Sequence, residues 1–257
     1  MTAVPPYNAT YRIILPDINE MNFITPQLVA GPICRDKSCG RMKEYSGEGK
    51  IKYNNGNVYK GAFRNGEPHG IGKMTYNNGR VRDGIWKKGK IVYEGGLVHG
   101  KPHGRGKWIY KNGTYEGEWK CGLKHGTGTY NKRQGILNLT NGISYEGEWK
   151  DDKMHGKGRY KWPDGSVYEG EYKDDKLHGK GITKYPDGSV LYDGAYKDDM
   201  WNGNGTRNYE NGDVYTGEWS AGKKHGKGVM TYANQDSYDG EWKEGFRDGT
   251  GTMKYHN

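Results

Sequence analysis

The chain has 257 residues, enough for one or two ordinary domains. Only 32% of it is hydrophobic, while Gly (44), Tyr (22) and Trp (8) abound, which excludes a globule built on an aliphatic core. Its wealth of rings equally excludes a disordered chain, and its net charge of +9, from 40 basic and 31 acidic residues, points either to acidic partners or to an exposed sheet solvated by both signs.

No apolar run approaches the length of a membrane span, and the N-terminus reads neither as a signal peptide nor as an Arg-rich transit helix. Three cysteines (Cys34, Cys39, Cys121) make no disulfide framework. The expectation is a protein of the reducing cytosol, where the sequons at Asn8, Asn112, Asn138 and Asn204 are accidental.

Residues 1–41 are broken by Pro5, Pro6, Pro16, Pro26 and Pro32 and read as a mostly extended arm. Within it, Tyr11–Leu15 is a candidate strand and Met21–Ala30 is mildly apolar. Cys34 and Cys39 lack the second pair that structural zinc requires, so no metal is expected.

Residues 42–257 repeat one phrase. It begins half-formed at Tyr45-Ser-Gly-Glu-Gly and Asn54-Asn-Gly, then opens as aromatic-x-Gly at Tyr59, Tyr93, Tyr115, Tyr145, Tyr168, Tyr192, Tyr215 and Tyr238. Most gaps are 22 to 24 residues, a period that marks a stacked repeat. A closing phrase, His-Gly-x-Gly, recurs at His69, His103, His125, His155, His178 and His225, and is altered at Asn202 and Asp248. Two stretches depart. Near 80–98 a unit opens on Arg82 and Tyr93 follows only 11 residues later, too few for two strands and two turns. A change of curvature or register is expected there, with Trp86 buried. Near 131–144 an insertion lengthens one unit to 30 residues.

Each unit reads as a β-hairpin. In Tyr-Glu-Gly-Glu-Trp the period is two, so Tyr, Gly and Trp share one face and the two Glu the other. Pro-Asp-Gly (163–165, 186–188), Asn-Asn-Gly (54–56, 77–79), Lys-Asn-Gly (111–113) and Glu-Asn-Gly (210–212) supply turns, since Gly tolerates positive φ. Gly weakens a strand unless something needs the space; here a ring from the neighbouring strand lies over its bare backbone. Single hairpins are marginal, and stacking joins them into one aromatic stripe. The expected fold is all-β: an elongated, single-layer solenoid of tandem antiparallel β-hairpins.

This phrase resembles the MORN repeat over residues 45–257. The resemblance implies a twisted, groove-shaped sheet. Such arrays occur in junctophilins, plant phosphatidylinositol phosphate kinases, a histone methyltransferase, radial spoke head proteins of cilia and cytoskeletal proteins of protists. With no kinase, methyltransferase or membrane segment beside its repeats, the chain is most similar to the stand-alone members. That implies a scaffold among other proteins of a ciliary (axonemal) or other cytoskeletal complex.

No catalytic residues and no cofactor are expected. The histidines recur once per unit, unlike a catalytic residue, and read as turn-end residues bonding backbone or packing on a ring. The Glu pairs 116/118, 146/148 and 169/171 alternate with inward rings and read as solvent-facing. Gly-Lys-Gly at 156–158, 179–181 and 226–228 lacks phosphate-loop spacing. The expected partner-binding groove is lined by Tyr115, Trp119, Tyr145, Trp149, Tyr168, Tyr172, Tyr192, Tyr196, Tyr215, Trp219, Tyr238 and Trp242, holding a helix or extended peptide. The other reading is that each ring fills only its own core. A second class of function is a peripheral module weakly binding anionic phospholipid, supported by Lys87-Lys88 and Lys223-Lys224 and opposed by unsegregated acids such as Asp151-Asp152. Nucleic acid is not expected. The last strand (Gly249, Gly251, Thr252, Met253, Tyr255) carries few charges and nothing follows to cover it. Its edge is expected to pair, either with a second copy end to end or with a strand from another protein.

Overall fold

The structure, a computed structural model, describes residues 45–132 and 142–256. The N-terminal arm, Cys34, Cys39 and most of the 131–144 insertion lie outside the described residues. What is described is all-β, one open sheet of 18 strands in which each pairs antiparallel with the next. The strands are β1 (Gly47–Lys52), β2 (Val58–Arg64), β3 (Glu67–Thr75), β4 (Val81–Lys87), β5 (Lys90–Val98), β6 (Lys101–Tyr110), β7 (Gly113–Lys120), β8 (Leu123–Lys132) and β9 (Ile143–Lys150). They continue as β10 (Lys153–Lys161), β11 (Val167–Lys173), β12 (Lys176–Lys184), β13 (Val190–Lys197), β14 (Met200–Asn208), β15 (Val214–Ser220), β16 (Lys223–Thr231), β17 (Ser237–Lys243) and β18 (Phe246–Lys254).

The tightest turns are not at the Pro-Asp-Gly signals. Trp162-Pro-Asp-Gly-Ser166 forms a wider loop, with Trp162 N–H donating to Ser166 O and Gly165 N–H to Trp162 O. The two-residue turns lie at the other strand end, after the Trp, and both central residues have positive φ, as at Asp151 (50°) and Asp152 (69°). That conformation matches the twist of a hairpin and favours Asp and Gly. It recurs at Asp174-Asp175 and Asp198-Asp199, and even at Lys88-Gly89 and Ala221-Gly222.

Inside a hairpin the register slips. Trp149 faces Met154 and Gly147 faces Gly158, so the closing strand carries two extra residues, within His155-Gly156-Lys157. An even excess keeps the two-residue period and every ring stays on its face. Tyr145 is fully buried, its ring lying over Gly158, where a Cβ would sit 2.4 Å from Oη. Its hydroxyl donates to Glu148 O at 2.9 Å. Trp149 Nε1 donates to Gly128 O of the preceding unit at 3.1 Å, tying unit to unit. The rings then meet edge to face along the array: Tyr145 lies 5.0 Å from Trp149 and 5.2 Å from Tyr172.

The short unit resolves as a shared strand. β5 closes the hairpin of β4 and opens the next with Tyr93. The register passes from Ile85↔Tyr93 to Trp86↔Ile91, leaving Val92 as one extra residue. A single excess reverses the facing. Ile85 and Trp86, neighbours on one strand, point to opposite faces and belong to separate core clusters, Trp86 with Tyr59, Phe63 and Ile91, Ile85 with Tyr93 and all later rings. Trp86 is 3% exposed, as expected. The aromatic core therefore changes face at β4–β5. In a meander, turns alternate edges, so the positive-φ two-residue turns at 65–66 and 88–89 lie on one edge and those at 99–100, 121–122, 151–152 and beyond on the other.

Candidate interaction surface

All twelve rings expected to line a groove are buried, at 0–7% exposure. They form the sheet's own core, and their faces are taken by neighbours and by glycine backbone. This corrects the expectation that they face a partner: the cross-strand Gly that makes room for each Tyr also hides it. The alternating Glu face is likewise partly used. Glu148 Oε1 accepts the Lys157 N–H at 2.8 Å, and Glu218 Oε1 that of Lys227 at 3.0 Å. The second Glu of the repeat thus caps the bulged His-Gly segment, where Gly156 and Gly226 have positive φ. The histidines touch the next unit's turn rather than a ring: His125 Nδ1 lies 3.6 Å from Asp151, and His155 Nδ1 3.8 Å from Asp174. The second Glu of the repeat and the His-Gly segment thus take part in holding the bulge and the next turn in place.

What the later units do present is a second row of rings, one per unit just before the wide turn. Trp162, Tyr185, Tyr209 and Tyr232 are half-buried and pack against the core from its rim. Tyr185 and Tyr209 flank an open hollow of about 630 Å³ bordered by Asp187 and Glu210. These rings precede Pro-Asp-Gly or its equivalent and carry a signal in the sequence: an aromatic at a fixed distance after His-Gly-x-Gly.

Cations lie among the rings. Lys124, with a side chain 4% exposed, sits 5.0 Å over Trp149 and 5.8 Å over Tyr115, its ammonium 3.4 Å from Asp152. Burial lowers its pKa, against the pull of Asp152. Arg207 stacks on Trp201 (4.8 Å) and Tyr209 (4.2 Å). Lys224 lies 3.9 Å over Trp242 and 5.6 Å over Tyr215. Arg247 lies 4.4 Å over Tyr238 and 5.7 Å over Tyr232, to whose hydroxyl it donates. Burial, with Arg207 and Arg247 nearby and Asp213 opposing, brings the Lys224 ammonium down to about 8. Sequence reasoning missed this row. Overall the basic residues are interspersed with acids, and only the register brings Arg207, Lys224 and Arg247 onto one face.

The edge strand β18 pairs only with β17 among the described residues. Gly249, Gly251 and Thr252 are exposed, Tyr255 is 74% exposed just beyond the strand, and Met253 is half-buried against the core. Phe246, at the strand's start, is 76% exposed.

An open sheet of tandem hairpins, with its polar residues spent on turns and bulges and rings left at its rim, defines a repeat-built interaction module. A model of the MORN repeat family matches residues 59–79, 93–114, 115–135, 145–167, 168–190, 192–214, 215–237 and 238–257, and the chain belongs to that family. Such repeats are generally protein- or membrane-interaction modules. The matches pass over residues 80–92, where the core changes face. No curated protein matches the chain. Among solved structures it is similar to a catalytically inactive virginiamycin B lyase from Staphylococcus aureus with quinupristin, at 8% identity and a TM-score of 0.16, over 75% of this chain and 68% of that one. A likeness that remote carries no argument.

Proposed function

We propose that the chain is a non-enzymatic scaffold that holds other proteins in a cytoskeletal assembly, ciliary in the first instance. The observation that carries this reading is the rim of half-buried rings and stacked cations beside a core that is otherwise closed. Interface hot spots are built from such residues, and the second Glu of several units is used in capping the bulge. The axoneme is favoured by the resemblance to radial spoke head and other cytoskeletal arrays of the same repeat, and the cytoplasm goes with it. The outer edge of β18 offers a second contact, by strand addition from another protein or a second copy.

A tagged full-length chain should stay with the cytoskeleton after detergent extraction and decorate axonemes. The second reading, an anionic-lipid module, is favoured by the +9 charge. Quantitative release by detergent together with binding to phosphatidylserine vesicles would replace the first reading with the second.

A further inference from the structure

We propose that Arg207, Lys224 and Arg247 form a seat for an acidic, extended segment of a partner protein. This rests on the scaffold reading above and names the partner's chemistry.

The three cations share the core face. Across the strands Arg207 faces Tyr215, Lys224 faces Trp219 and Arg247 faces Trp242, all rings of one cluster. The slots they fill are apolar in several other units. Where β16 has Lys224 and β18 has Arg247, β10 has Met154 and β12 has Leu177; where β14 has Arg207, β16 has Met230. The fold does not require a charge there.

Lys124 shows what such a lysine looks like when the fold neutralises it. It occupies the same slot as Lys224, and the second residue of the next two-residue turn, Asp152, supplies its carboxylate. For Lys224 that residue is Gly245, whose N–H donates to Lys224 O. The other turn residue, Glu244, is engaged by the exposed Lys223 at 2.5 Å. Among the described residues, no carboxylate lies within ion-pair distance of Arg207, Lys224 or Arg247. Arg207 Nε is buried and has no hydrogen-bond partner. Rings hold these cations in place without cancelling their charge; Arg207 and Lys224 are half-buried and gain most from an incoming anion, while Arg247 is exposed beside them.

Spacing selects the ligand. Lys224 and Arg247 hold equivalent positions two strands apart, about 10 Å across the sheet, while Arg207 faces Tyr215, four residues along β15 from the Trp219 that Lys224 faces, and so is also offset by about 13 Å along the strands. An acidic peptide in the extended polyproline II conformation, with 3 residues per turn and a rise of about 3.1 Å, presents a side chain on one face at about the Lys224–Arg247 interval every third residue. A flat anionic bilayer would instead meet the wide-turn rim first, where Asp187 and Glu210 are exposed.

The test uses the full-length chain and a fluorescein-labelled peptide with Glu at every third position. Anisotropy is read at about 0.15 M salt, where surface charges farther apart than about 8 Å are screened. Arg207→Met, Lys224→Met and Arg247→Leu install residues that other units carry at those slots, so the fold is kept, which circular dichroism checks. The triple variant should bind at least about tenfold more weakly, while Lys223→Met should leave binding unchanged. A triple variant that binds like wild type overturns the seat. So does a wild type that ignores the peptide but binds phosphatidylserine vesicles through the same three cations. If wild type ignores the peptide and both proteins stay with the detergent-extracted cytoskeleton, the seat is wrong and the scaffold stands. If wild type is extracted, the scaffold reading falls and takes the seat with it.

Discussion

Gly158→Ala adds one methyl group to a strand position whose φ is not positive, so the backbone accepts it. The space does not. The new Cβ would lie 2.4 Å from Tyr145 Oη, 2.5 Å from Cε2 and 2.6 Å from Cζ, and the three atoms nearest to it all belong to that one ring. Tyr145 cannot retreat cheaply, because it is fully buried between Trp149 and Tyr172. Overpacking costs about 1–3 kcal/mol and loss of the Tyr145–Glu148 hydrogen bond about 1 kcal/mol, while the stiffer unfolded chain returns about 0.5 kcal/mol. The net is a loss of about 1.5–3.5 kcal/mol. Repeat arrays need not unfold in one step, so hydrogen exchange across β9–β11 should accompany urea unfolding. The decisive comparison is a double-mutant cycle with Tyr145→Ala. Once the ring is gone, Gly158→Ala should cost little, giving a coupling of about 2 kcal/mol. A coupling near zero would refute the claim that the glycine exists to admit the ring.

Asp152→Ala should be costly for a turn residue, about 3 kcal/mol by urea unfolding, because it leaves the buried Lys124 ammonium unpaired; adding Lys124→Met should restore most of the loss. Asp175, in an exposed turn, accepts the Met154 N–H at 2.7 Å, yet desolvation of its carboxyl raises its pKa above 3.8. A raised carboxyl holds its proton more tightly when folded, so its contribution is full below pH 3.8 and is lost as pH rises through the folded pKa. Asp175→Asn keeps the acceptor, and its stability relative to wild type should grow across that rise; a pH-independent difference in melting temperature would contradict this. Deleting Val92 should abolish cooperative folding, whereas Val92→Ala should preserve it, as read by circular dichroism. A peptide with the sequence of β15 should add to the outer edge of β18 and protect the amides of residues 249–254 from exchange, while the same peptide with Val for Gly should not.

The repeat, the hairpins and the ring-over-glycine packing were legible because each is a local consequence of residue type and period. A Tyr two positions before a Gly points the same way whatever surrounds it. The two-residue turns were less legible: Lys-Asp-Asp-Lys reads as a solvated charge run until the register shows Asp152 reaching across to the Lys124 N–H at 2.7 Å. The groove was misread for a related reason. Period two says which residues share a face, and nothing in it says whether that face is already filled by the neighbouring unit. The cation row was hard to see because Arg207 lies 17 residues before Lys224, out of phase with it, although Arg247 shares its phase 23 residues on (224 − 207, 247 − 224). Only the pairing of β14 to β18 brings them together.

The irregular unit shows how much one residue decides. A sheet of L-residues is handed, so a repeat cannot move its turns to the other edge and keep its rings on the same face. Both must change together, which amounts to a half-turn about the long axis of the array. Residues 82–93 accomplish it by sharing β5 between two hairpins, which moves the turns, and by bulging at Val92, which moves the rings. Ile85 and Trp86 mark the seam, each the flank of a different core. The rings of Tyr59 and Phe63 therefore open onto one side of the sheet, and Tyr209, Arg207 and Lys224 onto the other. A partner seated on the later units cannot extend along the same face past β4–β5. A single ligand running the whole array would have to cross the sheet edge there, so the fold favours two separate contacts on opposite sides, joined by a continuous ladder of backbone hydrogen bonds.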